Sequence, residues 1–536
     1  MSNKSSSTDT EPIPVQELRA SIDSALSSGD AESAFRIAKV LSHRPHLGVW
    51  EEAAIGRAAL AKDQYDLAIK WLSKAHESLP QEIIILRSLA ESYAVKKLWD
   101  AAALALGKAI NLQPGLAELY KLQGIYWSNC GRYEEAEQSL YRGLSLDPNN
   151  PSFLTLLGEL CLAQDKLPDA IKYFNRVLTK DPMNIPAISN LALAYEREGD
   201  LRLTLDMLGS LIQIEPSHAN IYRRGQVLLT MGRFREGWLD YARRLQSGDY
   251  QSWQFALNIP YWSGEDLSDK HLLVWTDQGL GDQILAVSLL GELVPRARKI
   301  TLACDPRLIS LFQRSWPELT VVSLAILRNA KKNLAPIQVQ ATISELGATL
   351  RPNYKSFSQP KAFLKSDKER SIELRRRLTK DEQRPLIGIS WRSSNPLAGK
   401  QKSTSLCSDW AQVLKQSGMR FVALQYGAIT EELKYVREAL AVDIATIPEI
   451  DFERDVDGFA SLVAAMDQVI SVSNTAVHVA GGLGISTKAL LPHTYGRPWY
   501  WFDKGDVALW YPNVSLYRSQ GDWERTIGEV AESLLL

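Results

Sequence analysis

The chain has 536 residues, more than one ordinary core accommodates, so at least two domains are expected. Hydrophobic content of 45% and charged content of 23% fit a soluble globular protein, and a formal net charge of -1 gives no general electrostatic case for nucleic acid or an anionic membrane. No segment is long and apolar enough to span a bilayer, and Cys130, Cys161, Cys304 and Cys407 form no CxxC pair, so neither a zinc knuckle nor a redox motif is supported.

The polar opening, MSNKSSSTDTEP, lacks the apolar core of a signal peptide; residues 1–14 read as a disordered tail and the protein as cytoplasmic. A repeat follows. Pro80, Pro114, Pro148, Pro182 and Pro216 stand 34 residues apart. Ala68, Ala102, Ala136, Ala170 and then Thr204 precede them at one register, and Gly56, Ala90, Gly124, Gly158 and Ala192 at another. Small residues let two helices cross closely, and a proline ends each second helix. The pattern resembles the tetratricopeptide repeat (TPR), which implies an all-α TPR solenoid over 15–248, with about six to seven repeats. Residues 15–46 read as a degenerate first repeat, and 219–248 as a last one with Trp238 in the small-residue register. Asparagine recurs in one register only at Asn150 and Asn184, too seldom for an asparagine clamp on peptide backbones, so a groove tuned to one protein partner is expected.

The period is lost after residue 250. Residues 249–268 read as an aromatic connector. Strands are predicted at 271–276, 299–305 and 319–323, then, after a break from about 352 to 384, at 385–391, 420–426, 443–449, 468–473 and 487–492. Alternation with helical stretches implies two doubly wound parallel sheets, 269–365 and 385–536, joined by a linker helix at 366–384, with a cleft at the strands' carboxyl ends.

Three stretches could carry chemistry. In LLVWTDQGLGDQI, Gly279 and Gly281 allow a tight strand-to-helix turn and close approach of a ligand; the spacing alone favours a plain turn with Asp282 as a capping acid. In SVSNTAVHVAGGLG, Asn474 or Ser473 caps a helix whose first amides, at Thr475 and Ala476, would suit a pyrophosphate. His478 lies one turn in, either facing a phosphate or sugar, or satisfied in the core. In SWRSSNPLAGKQK, Arg392, Lys400 and Lys402 follow a strand, where cations suit a departing phosphate or form a solvated loop; Gln425 ends the next strand at the same rim.

Taken in order, LLVWTDQGLGDQI, GISWRSSNP, FVALQYG, VISVSNTAVHVAGGLG, PHTYGRPWYWF and WYPNVSLYRSQGDW resemble bacterial TPR proteins that carry a GT-B glycosyltransferase domain. That domain is similar to heptosyltransferases (glycosyltransferase family 9-like), and more distantly to O-GlcNAc transferase and SPINDLY-like proteins; TPR-containing flagellin glycosyltransferases are functional kin. The resemblance implies an inverting, metal-independent transferase without a cofactor, taking a nucleotide-sugar as substrate. It makes Asp282 the general base and His478 its catalytic partner. It assigns Gly279, Gly281, Gln425, Asn474, Thr475 and Ala476 to the donor phosphates, together with Lys402 or Arg392, between which spacing does not decide. The family's Asp-Thr-Gly is here Asn474-Thr475-Ala476, so an acid is missing. The expected function is transfer of a sugar to a hydroxyl of a flagellin-like surface protein recruited by the TPR groove. The alternatives are a lipopolysaccharide or capsule acceptor, and an inactive TPR-tethered binding scaffold.

Overall fold

A computed structural model describes residues 13–246, 257, 259–276, 278–329, 337–357, 362–379, 384–393, 404, 406, 408–493 and 496–534. The chain divides into two compact units, 1–194 and 195–536.

The first unit is built of helical pairs: Val15–Ser27 with Ala31–Ser42, Val49–Ala61 with Tyr65–Ser78, Ile83–Val95 with Trp99–Leu112, Ala117–Asn129 with Tyr133–Leu146, and Pro151–Ala163 with Leu167–Lys180. The sequence registers explain them. A Cβ on Gly56, Gly124 or Gly158 would come within 2.6, 2.7 and 2.5 Å of Leu72, Leu140 and Phe174 on the paired helix, so only glycine lets these pairs close. Ala68, Ala102, Ala136 and Ala170 are fully buried at the second register. Each recurrent proline follows the capping residue of a second helix, where it blocks another turn. Asn150 accepts from the Ser152 amide and Asn184 from the Ala187 amide, and each donates to an aspartate three residues back at 3.0 Å. The recurring asparagines therefore build turns.

The second unit begins with the end of helix Ile185–Glu198 and continues through Leu201–Ile214, His218–Thr230 and Phe234–Tyr241. In the last pair the close contact shifts: a Cβ on Gly225 would lie 2.5 Å from the Tyr241 amide nitrogen. Trp238, in the register of the small residues, is 1% exposed. Its ring covers Gly347, its Nε1 donates to the Arg351 carbonyl at 3.0 Å, and it meets Trp499 edge-on at 5.1 Å. The departure from the repeat pattern is thus where the last pair joins the α/β core.

Among the described residues ten strands follow: β1 His271–Trp275, β2 Lys299–Cys304, β3 Thr320–Ser323, β4 Val339–Ala341, β5 Leu386–Ser390, β6 Arg420–Ala423, β7 Gln468–Val472, β8 Ser486–Leu491, β9 Val507–Ala508 and β10 Tyr511–Arg518. They form a parallel sheet in the order β3-β2-β1-β4 and a mixed sheet in the order β6-β5-β7-β8-β10-β9, in which only β9 runs antiparallel. Three expectations need correction. Residues 443–449 form no strand and touch the sheet through a single bridge, Val422 to Ala445. The strands β4, β9 and β10 were not expected. The connector also joins the smaller sheet: the Trp262 amide donates to the Gln340 carbonyl at 2.7 Å, and the Gln340 amide donates to the Pro260 carbonyl at 2.9 Å.

The larger sheet is covered on both faces. Ile387 and Ile389 pack with Trp410, Val436 and Ile527 on one side. Leu386 and Val469 pack with Phe459, Val477 and Ala480 on the other. In this sheet the chain runs from β5 outward to β6 and then returns to β7 on the far side of β5. This reversal opens a crevice at the carboxyl ends of β5 and β7.

Candidate functional site

That crevice is stitched by four polar side chains, Ser390, Gln425, Ser471 and Asn474. The Gln425 Oε1 accepts from Ser390 Oγ at 3.1 Å and from the Trp391 and Arg392 amides at 2.9 Å. The Asn474 Nδ2 donates to Ser390 Oγ at 2.8 Å, and its Oδ1 accepts from Ser471 Oγ and the Ala476 amide. Gln425 is 2% exposed and Asn474 8%. Both hold the ends of the strands, and the Ala476 amide is already satisfied. The expectation of several bare amides at this helix, Thr475–Leu483, is therefore corrected: the cap takes Ala476, and Val477 bonds the Asn474 carbonyl. Thr475 is half-buried and faces a pocket.

Arg392 is likewise committed. Its guanidinium bonds Glu432 at 3.0 and 3.3 Å and the Ala428 carbonyl at 2.8 Å, so it is spent within the β5–β6 rim. Lys400 and Lys402 lie outside the described residues.

The glycine turn after β1 opens helix Leu280–Val287, with Gly279 as its N-cap. Asp282 is in the first turn of that helix. Its Oδ2 sits 3.2 Å from where a Cβ on Gly279 would be, so any larger residue would crowd the carboxylate. Gly281 has a different reason from the ligand access expected of it: a Cβ there would lie 2.5 Å from the His478 ring. The two helices cross at that point, bringing the two predicted motifs together.

His478 occupies the core position rather than the ligand-facing one. It is 2% exposed. Its Nδ1 lies 2.9 Å from the Tyr511 hydroxyl and its Nε2 3.2 Å from the Tyr500 hydroxyl. Burial pushes both phenols well above their ordinary value, and the Asp282 carboxylate nearby adds to the effect. The glycines after His478 serve packing too: a Cβ on Gly481 would meet Tyr511 at 2.6 Å, one on Gly482 would meet Leu364 at 2.7 Å, and Gly484 ends the helix at φ +79°.

Two adjoining cavities lie at the carboxyl ends of the strands. One, of 210 Å³, is lined by Leu280, Arg307, Tyr426, Phe452, Phe459 and Thr475 among others, so both predicted motifs contribute to it. The second, of 630 Å³, shares Tyr426, Phe452 and Glu453, and adds Ile447, Leu433 and Lys434. Sequence reasoning missed Arg307, Tyr426, Lys434 and Phe452. Only Tyr426 sat in a quoted motif; the others fall in stretches whose spacing carries no pattern. Arg307 pairs with Asp305 and donates to the Glu453 carbonyl at 2.8 Å, linking the segments after β2 and before the Val456–Ala464 helix.

Comparison with known proteins supports the repeats directly. A tetratricopeptide repeat family model matches residues 131–194. Protein FlbA of Caulobacter vibrioides is 29% identical over 421 residues, 75% of this chain and 70% of that protein. An alignment that long extends into the sheets, since the helical pairs end at Tyr241. The human protein O-mannosyl-transferase TMTC3 is 25% identical over 215 residues, 38% of this chain and 23% of its own length, a match short enough to lie within the repeats. Among solved structures, a tetratricopeptide repeat protein from Parabacteroides merdae covers 44% of this chain and 94% of its own, at 17% identity and a TM-score of 0.37. The chain carries tetratricopeptide repeats, followed by an α/β region with one parallel and one mixed sheet. No helix among the described residues is long and apolar enough to cross a membrane.

Proposed function

We propose that the α/β region is a GT-B glycosyltransferase that moves a sugar from a nucleotide-sugar to a hydroxyl of a protein acceptor recruited by the TPR repeats. The observation that carries this reading is the pair of adjoining cavities at the strand ends, the smaller of them walled by both Leu280 and Thr475. The larger cavity, with Tyr426 and Phe452 on its wall and Lys434 at its rim, takes the nucleoside. The diphosphate lies toward Thr475 and Arg307. The acceptor oxygen attacks the anomeric carbon, the bond to the diphosphate breaks, and Asp282 takes the hydroxyl proton. His478 is a positioning residue: its ring, held by Tyr500 and Tyr511, packs against Gly281, the residue before Asp282.

The scaffold alternative draws on Asn474 and Arg392, since neither leaves a free charge for the donor. A flagellin-like surface protein is the acceptor favoured by the resemblance. The test is intact-mass comparison of surface proteins from a deletion strain complemented with wild type or Asp282→Asn. Wild type restores the glycan mass and Asp282→Asn does not, while the variant protein still binds nucleotide. Full restoration by Asp282→Asn contradicts the catalytic reading. Unchanged protein masses with an altered polysaccharide ladder move the acceptor to a lipopolysaccharide or capsule.

A further inference from the structure

The carboxyl edge of the larger sheet holds another cavity that sugar transfer does not use. It has a volume of 730 Å³ and is bounded by residues 198–202 and Met231 on one side. His493 and Arg497, which follow β8, and Arg518, which ends β10, lie on the other. Two guanidinium groups share this wall. The Arg497 Nη1 donates to the His493 carbonyl at 2.8 Å. The Arg518 Nη2 donates to the Trp501 carbonyl at 3.0 Å and its Nη1 to the Gly505 carbonyl. Among the described residues neither makes an ion pair with a carboxylate, and the Nε of each is buried without a hydrogen-bond partner.

The acids around the cavity do not compensate them. Asp200 is spent capping its own helix, accepting from the Leu203 amide at 2.9 Å. Asp503, on the cavity wall, acts on both arginines and Asp506 on Arg518, in each case from beyond ion-pair reach. Glu198 stands on the exposed rim beside Arg202 and His493. Burial, with Arg518 beside it, pushes Arg497 down to about 10, and burial lowers Arg518 as well. Two like charges held together with orphaned donors destabilise a fold unless something of opposite charge offsets them. A guanidinium fork matches an oxyanion in both shape and charge.

We propose that this cavity is a binding site for a small oxyanion, a phosphate or carboxylate group, taken by Arg497 and Arg518. The site stands independently of the transferase reading. It is also wired to the crevice: Trp501, whose carbonyl accepts from Arg518, donates its Nε1 to Ser473 Oγ at 2.8 Å, next to Asn474.

The test is thermal melting of the full chain in sodium phosphate, sodium acetate and sodium chloride at matched ionic strength and pH. Phosphate, acetate or both should raise the melting temperature saturably above the chloride control. A response to phosphate alone assigns a phosphate ligand, and a response to acetate alone a carboxylate. Arg497→Gln should weaken the apparent affinity about tenfold or more. Arg518→Gln is the second variant, read the same way should the first fail to fold. Equal melting in the three salts overturns the proposal. So does an undiminished response in the variants, which would place the anion elsewhere.

Discussion

His478, Tyr500 and Tyr511 form one buried cluster beside Asp282, whose carboxylate acts on both phenols. The phenols of Tyr500 and Tyr511 are raised well above 10.0 in the folded protein, first by burial and then by Asp282. The unfolded chain therefore releases these protons at lower pH than the native one. The sign follows: the contribution is fully present below about pH 10 and is lost as pH rises above it. Each phenol steepens the alkaline fall by about 1.4 kcal/mol per pH unit. Tyr500→Phe should remove one such increment, and urea midpoints measured across alkaline pH read it directly. An unchanged slope would mean the phenol ionises in the fold as easily as outside it. His478 shows why this cluster was hidden in the sequence. A histidine one turn into a helix after a polar strand end fits a ligand-facing role. The tyrosines that claim its ring nitrogens lie 22 and 33 residues away, in segments whose pairing no local pattern reveals. Asn474 caps its helix as expected, but the partners that bury it and Gln425, at Ser390, Trp391 and Arg392, come from another strand and were hidden for the same reason.

At the level of elements, the helical pairs were legible because one constraint recurs. A small residue is needed at each crossing, and the proline follows each second helix at a fixed distance. The long central strands were legible as β-branched runs. The three-residue β4 was not, since it offers too little sequence to show alternation. β10 was masked by its Pro512 and Asn513, residues that usually mark turns. Residues 443–449 look like a strand in composition, yet Pro448 follows closely on the single bridge. Trp238 is the most informative departure. Restoring the repeat's preferred residue by Trp238→Ala should destabilise the protein by about 3–5 kcal/mol, because it empties the contact with Gly347 and Trp499. Denaturant unfolding measures this; a loss below about 1 kcal/mol would show that the last pair does not depend on that ring.

For the whole molecule, the division at 194 and 195 matters for experiments. A deletion of 15–248 would remove Phe234, Trp238 and Tyr241 from the core they share with the sheets. A chain starting at 183 keeps helix Ile185–Glu198 and everything after it. That truncation should retain a cooperative melt and nucleotide binding while losing acceptor modification in cells. Wild-type levels of modification by the truncated chain would exclude the earlier repeats from acceptor capture. The account depends most on a nucleotide occupying the cavities beside Thr475 and Tyr426. The direct measurement is a melting-temperature titration of the purified chain with UDP, GDP, ADP and CMP, run on wild type and Phe452→Ala. One nucleotide should raise the wild-type melting temperature saturably, with affinity weakened in Phe452→Ala by the about 1–3 kcal/mol of a lost base–aromatic stack. No response to any of the four, or the same affinity in both proteins, would contradict it.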